Sequence, residues 1–279
     1  MAKDTNQTGV ELQAKRVLMT SAAAGLVAST IPTVLRAFEA RLAVTHSPQE
    51  ALSFLVHNPG EIKKGMPWYV MRQMKCSAMG YPVSWFTNDI LAAYTTLPLG
   101  MRSICSGVIA AMGEVALTRG DESRELAKKY GQTPSPSAVR TLGLGMLIRS
   151  CPGWSGAAFA AGYGREHQLG ALQQAQLAFM MGLVTGAGST PLSRGMLNAF
   201  ATNRPLVEGY KEMLKGGAFS GWWVRAATVG IFNATALSVK YYCDHKATHS
   251  DTSKPDQSSL SNAQISKLNP IIEDVLNCT

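Results

Sequence analysis

Gly182-Leu-Val-Thr-Gly-Ala-Gly-Ser-Thr-Pro-Leu-Ser-Arg194 is an apolar, glycine-rich stretch that runs into a proline and ends on an arginine. Gly182 and Gly186 stand one helical turn apart, so a second helix backbone can approach them closely. Pro191 lacks an amide hydrogen and crowds the preceding turn, which predicts a kinked helix. By itself the motif is weak, and its weight comes from where related stretches fall.

Pro32 and Pro191 lie 159 residues apart, twice about 80. Midway, around Met112, the chain reads Gly107-Val-Ile-Ala-Ala-Met-Gly-Glu-Val-Ala-Leu-Thr-Arg119, another small-residue apolar run ending in charge. Arg72, Arg149 and Arg225 keep nearly the same interval, 77 and 76 residues, each inside an apolar segment. Two landmarks with one period imply three tandem units, each with two hydrophobic segments.

Of the 279 residues 46% are hydrophobic and only 16% charged, with 26 glycines and 13 methionines, a composition that leans towards membrane helices packed through small residues. The mean hydropathy is only +0.02, and no apolar run reaches the ~18 residues of a simple span. A membrane protein with an aqueous interior reconciles the two, because one face of each helix can then be polar. The net charge of +8 is scattered, with no nucleic-acid-reading module. Five cysteines without a CxxC and five dispersed histidines imply reduced thiols and no metal site. Neither a secretory signal nor a transit peptide is legible at the N-terminus.

The expected segments are 17–44, 66–90, 97–119, 141–163, 170–200 and 218–243. Ser47-Pro48 opens a short amphipathic helix between the first two, Ser47 as cap and Pro48 at the first helical position. The loops at 45–64, 121–140 and 202–216 all follow odd segments. Extended to their flanks they carry four basic against three acidic residues (36–65), five against three (119–140) and four against two (194–215). Basic loops mark the untranslocated side, so these three lie together and both termini lie opposite. The organisation is an N-terminal segment 1–16, repeats at 17–96, 97–169 and 170–243, and a polar tail 244–279, expected to be disordered except for a weak helix near 263–276.

The even segments carry Gly65…Arg72, Gly143…Arg149-x-x-Pro152 and Gly217…Arg225; the odd ones carry Pro32, Glu114 with Arg119, and Pro191 with Arg194. From residue 17 to 243 this plan resembles the mitochondrial carrier family, in which each odd helix bears P-x-[DE]-x-x-[KR]-x-[KR] and each even helix a glycine-to-arginine run. Met112 replaces one proline, and Val34 and Ser193 stand at two acidic positions. Of the family's second network, [FY]-[DE]-x-x-[KR], only Phe86-Thr-Asn-Asp89, Tyr163-Gly-Arg-Glu166 and Tyr242-Cys-Asp-His245 come near, without its charges in place. The resemblance implies an all-α membrane protein of six transmembrane helices, three two-helix repeats with threefold pseudo-symmetry around a central cavity. It further implies a monomer in the inner mitochondrial membrane that works by alternating access, with no bond chemistry and no cofactor.

Three arginines from pseudo-equivalent helices would converge on one axis with no matching acids in view, giving a strongly positive cavity. Guanidinium forks bind phosphate and carboxylate bidentately. Arg72, Arg149 and Arg225, with Tyr69, Ser150 and Trp222 beside them, are therefore the expected substrate contacts, at the positions where the resemblance places such contacts. Pro32, Pro191, Glu114, Arg119 and Arg194 are expected at the gate. The expected ligand is a small anionic solute, a nucleotide such as ATP or ADP first, a carboxylate or keto acid next. The polar tail is also similar to that of bacterial effector versions of the nucleotide carrier delivered into a host cell, where it would serve secretion. A carrier fold kept as a membrane scaffold or insertase is the alternative of another class.

Overall fold

The computed structural model describes residues 19–250 except 20, 24, 29–31, 132, 134, 135 and 216; the N-terminal segment 1–16 and the helix expected near 263–276 lie outside the described residues. The chain divides into two units, 1–242 and 243–279, and the helices up to residue 242 build the first. Among the described residues the regular elements are helices: α1 (Ser21–Ala28), α2 (Pro32–Thr45), α3 (Pro48–His57), α4 (Gly60–Lys63), α5 (Met66–Tyr94), α6 (Leu99–Tyr130), α7 (Pro136–Glu166), α8 (Ala171–Gly188), α9 (Thr190–Ala201), α10 (Leu206–Lys215) and α11 (Trp222–Ser250). The fold is all-α. α11 runs on to Ser250, so the tail expected from residue 244 begins as helix.

Local chemistry explains the breaks. The Ser47 hydroxyl accepts from the Glu50 amide, and Pro48 opens α3. At Pro191 the expected kink is a full break between α8 and α9. There the hydroxyls of Ser189 and Thr190 both bond the Gly186 carbonyl at 3.1 Å. α1 and α2 diverge by 62° just before Pro32. α6, with Met112 where a proline was sought, runs unbroken for 32 residues. That corrects the loop expected at 121–140. Asp121 to Tyr130 is the end of α6, because its acids have buried partners and Gly131, at φ 66°, supplies the left-handed C-cap.

α5 packs on α6, α6 on α7 and α7 on α8. α8 meets α11 at the glycine pair: a Cβ on Gly182 would come within 2.6 Å of the Gly230 backbone, and one on Gly186 within 2.8 Å of Ala226. α11 returns to α2 through Phe38 and Trp223, whose rings lie 5.9 Å apart. A Cβ on Gly25 of α1 would come within 2.6 Å of the Gln73 carbonyl on α5. At one end α9 also reaches across to α2, α6 and α7, with Ala43, Leu126, Met146 and Leu197 in one buried cluster. A larger side chain at Gly182 must push α8 off α11. Gly182→Leu is expected to lose about 1–3 kcal/mol by overpacking. Gly188→Ala, with open space around it, serves as the control, and thermal unfolding in detergent measures both.

Polarity along α6 runs opposite to that of a helix in water. Met101, Ile104, Val108, Ile109 and Met112 are exposed, Ile104 by 58%, whereas Ser103, Ser106, Glu114, Thr118, Glu122 and Glu125 are buried. Ile104, Val108 and Met112 recur at steps of four, as do Glu114, Thr118 and Glu122, so the apolar stripe faces out and the polar stripe faces in. α8 likewise exposes Leu172, Met180 and Val184. By length and composition α6 can cross a bilayer, and α1 with α2 makes a second candidate if the bent pair counts as one span.

Candidate anion site

A cavity of about 550 Å³, its open mouth included, lies between α5, α6, α7 and α11. Arg72, Arg149 and Arg225 all line it. Helical phase explains the convergence: Arg72 and Cys76, Arg149 and Gly153, and Arg225, Thr228 and Phe232 each recur at steps of three or four on one face. Ser150, Trp154 and Phe232 complete the wall. Trp154 donates its indole N–H to Glu114 at 2.7 Å, and Tyr81 packs edge-on against it at 5.0 Å.

Beside the cavity, where α2, α6 and α9 approach, lies a buried charge cluster. Glu122, fully buried, accepts from Arg36 Nη2 (2.5 Å), Arg149 Nη1 (2.8 Å), Arg149 Nη2 (3.3 Å) and Arg72 Nη1. Arg36 also donates to Glu125 Oε1 and Glu39 Oε2, each at 3.0 Å. Lys129 reaches Glu125 at 2.8 Å, and Ser193 donates to Glu39 at 2.5 Å. Counting Arg36, Arg72, Lys129, Arg149 and Arg225 against Glu39, Glu114, Glu122 and Glu125 leaves one positive charge in excess. The expectation of a strongly positive cavity without matching acids is thus corrected. Two of the four acids, Glu122 and Glu125, sit in a stretch whose charge density reads as a solvated loop in one dimension.

The three arginines differ. Arg149 and Arg72 are both buried and both tied to Glu122. Arg225, its side chain 14% exposed, stands 4.0 Å from Glu39 and 3.5 Å from Ser189, so it is the loosest cation in the cavity. Tyr69 is buried, with the Arg72 guanidinium 5.3 Å from its ring centre. Trp222, by contrast, is half exposed, with its neighbour Trp223 also exposed, and does not line the cavity. Trp222→Ala is therefore expected to leave anion affinity within about twofold of the parent in a binding titration, since no lost contact reaches the ~1.4 kcal/mol of a decade.

Of the residues expected at the gate, Glu114 and Arg119 face different ways: five residues on a helix turn through about 140°, and Arg119 is exposed while Glu114 is buried facing Trp154 and Arg149. Arg194 is buried and donates to the carbonyls of Gly217 (2.8 Å), Ser220 (3.1 Å) and Leu42 (3.2 Å). It fastens the turn before α11 to the end of α2, a structural role. Pro32 and Pro191 mark the ends of bent or broken helices.

At the opposite end, 17 residues along α5 from Arg72, or about 25 Å, Asp89 pairs with Arg165 of α7 at 2.5 Å, in the open. Arg102 pairs with Glu166 at 2.5 Å. The second network was read as lacking its charges, yet this pair forms, because helical facing rather than motif spacing brings Asp89 and Arg165 together. Arg36, Glu39, Glu122, Glu125 and Ser193 went unread as a group. Their one available signal was the 86-residue interval from Arg36 to Glu122, repeated from Glu39 to Glu125. Among the described residues no group of three His, Cys, Asp or Glu side chains is placed to hold a metal ion. No protein-family model matches the chain, and no characterised protein matches it at a significant level.

Proposed function

We propose that the protein is a membrane carrier that moves a small anionic metabolite, a nucleotide first, through a central cavity by alternating access. The reading takes the six long helical stretches as three pairs with pseudo-threefold symmetry. It assigns the carrier to the inner mitochondrial membrane, of a host cell if the polar tail is a secretion signal. The observation that carries it is the reversed polarity of α6: apolar side chains outward, carboxylates and hydroxyls inward. In water such a helix would expose its apolar stripe at a cost of about 25 cal/mol per Å². In lipid the same stripe is the solvated face, and ionisable groups inside such a protein mark a substrate path.

The cavity chemistry supports an anion. Guanidinium groups of three helices face one space beside Trp154 and Phe232, so phosphate groups and a planar base each have a complementary surface. In the conformation described, buried ion pairs close the end where α2, α6 and α9 meet, and the exposed Asp89–Arg165 pair lies at the other end. Uptake of radiolabelled ATP, ADP and dicarboxylates by purified protein in liposomes tests the reading. Saturable uptake of a nucleotide, lost on Arg225→Ala, is expected. Uptake of dicarboxylates alone transfers the reading to carboxylates, and no uptake of any anion favours a scaffold.

A further inference from the structure

We propose that Arg36, Arg72 and Arg149 form an anion-binding cage for a carboxylate or phosphoryl group, and that the Glu122 carboxylate is its tethered occupant, which the transported anion displaces. The proposal rests on reading the cavity as an anion site and adds to it the identity of the competing ligand and of Arg36. One carboxylate takes four hydrogen bonds from guanidinium groups of three different helices, α2, α5 and α7. That is the donor set a free carboxylate or phosphate seeks, because planar guanidinium forks bind either group. Two of the three arginines, Arg72 and Arg149, line the cavity as well, so the same side chains serve the occupant and the open space.

These two arginines also keep unused capacity. The Nε atoms of Arg72 and Arg149 are buried without a hydrogen-bond partner, Arg72 Nε facing Glu125 Oε2 across 3.8 Å. An incoming anion that engages Arg72 and Arg149 competes with Glu122 for their terminal nitrogens. Arg225, whose contacts to Glu39 and Ser189 are longer than those of Arg72 and Arg149 to Glu122, makes the first contact. Once Glu122 is displaced, α6 loses four hydrogen bonds from α2, α5 and α7 and keeps the Arg36–Glu125 and Lys75–Asp121 pairs and the longer Arg149–Glu114 contact. Anion binding would thereby loosen the closed end.

The test uses full-length Glu122→Gln in detergent, with inorganic phosphate and acetate as probes and thermal unfolding as readout. The variant is expected to unfold at lower temperature than the parent in anion-free buffer. It should recover with added phosphate or acetate at concentrations at least tenfold below any that shift the parent, because the emptied cage accepts the free anion. A variant whose stability responds to these anions no more than the parent's overturns the proposal. Glu122→Asp keeps the charge but shortens the reach, so it covers the case in which the glutamine variant fails to fold. It should show the same recovery at threefold or more lower anion concentration than the parent, and an unchanged requirement again overturns the cage. Recovery without any nucleotide uptake by the parent would sustain the cage while removing the nucleotide reading. Nucleotide uptake without recovery would do the reverse.

Discussion

Arg36→Ala is expected to cost about 3–5 kcal/mol of stability, the usual penalty for removing one partner from a buried charge pair. Arg36 is 2% exposed and holds Glu122, Glu125 and Glu39 at once. Without it three carboxylates face Arg72, Arg149, Arg225 and Lys129 in an altered balance, and the contacts of α2 with α6 lose their centre. Arg36→Lys restores a charge but not the three-way fork, so it should recover only part of the loss. Arg204→Ala is the comparison: its partner Glu212 lies 3.5 Å away with both side chains half exposed, and such a surface pair contributes about 0–1 kcal/mol. Thermal or denaturant unfolding in detergent reads all three. Equal effects of Arg36→Ala and Arg204→Ala would remove the cluster from any account of stability.

Arg225→Ala is expected to act on the ligand rather than on the fold. Among the described residues its guanidinium makes a 4.0 Å contact to Glu39 and a 3.5 Å contact to Ser189, so little packing is lost. A charge-assisted hydrogen bond to a bound anion is worth roughly 1.5–3 kcal/mol, which weakens binding by about one to two decades. Arg72→Ala and Arg149→Ala should behave differently, because both arginines hold Glu122. Their loss lowers stability and affinity together. Isothermal titration with nucleotide, set beside unfolding temperatures, separates the two patterns. Arg225→Ala with parental affinity would take Arg225 out of the site.

The contrast among the arginines marks how far the sequence could be read. The interval from Arg72 to Arg149 to Arg225 placed three cations on one cavity wall because helices of similar length and equal phase repeat. Ser47-Pro48 and the Gly182–Gly186 pair were legible for the same kind of reason, since capping and close backbone approach are local. Glu122 was not legible. Its charge density with Asp121, Arg124 and Glu125 has the appearance of solvated loop, and only the three guanidinium groups brought in from other helices make burial tolerable. Glu114 and Arg119 face different ways because sequence proximity says nothing about helical facing. Trp222 failed because an aromatic beside a turn faces outward as readily as inward. The break at Pro191 was visible in the chain, but the hydroxyls of Ser189 and Thr190 that bond the Gly186 carbonyl there depend on the fold.

The proposed carrier would face lipid outside and be polar inside. Nitroxide labels placed singly at positions 104, 108 and 112 of α6, and at positions 73 and 228 on the cavity wall, test it after reconstitution into liposomes. Collision with dissolved oxygen reports lipid, and collision with a water-soluble nickel chelate reports water. High oxygen and low chelate accessibility is expected at 104, 108 and 112, with the reverse preference at 73 and 228. Chelate accessibility at 104, 108 and 112 as high as at 73 and 228 would place the apolar stripe of α6 in water and contradict the claim.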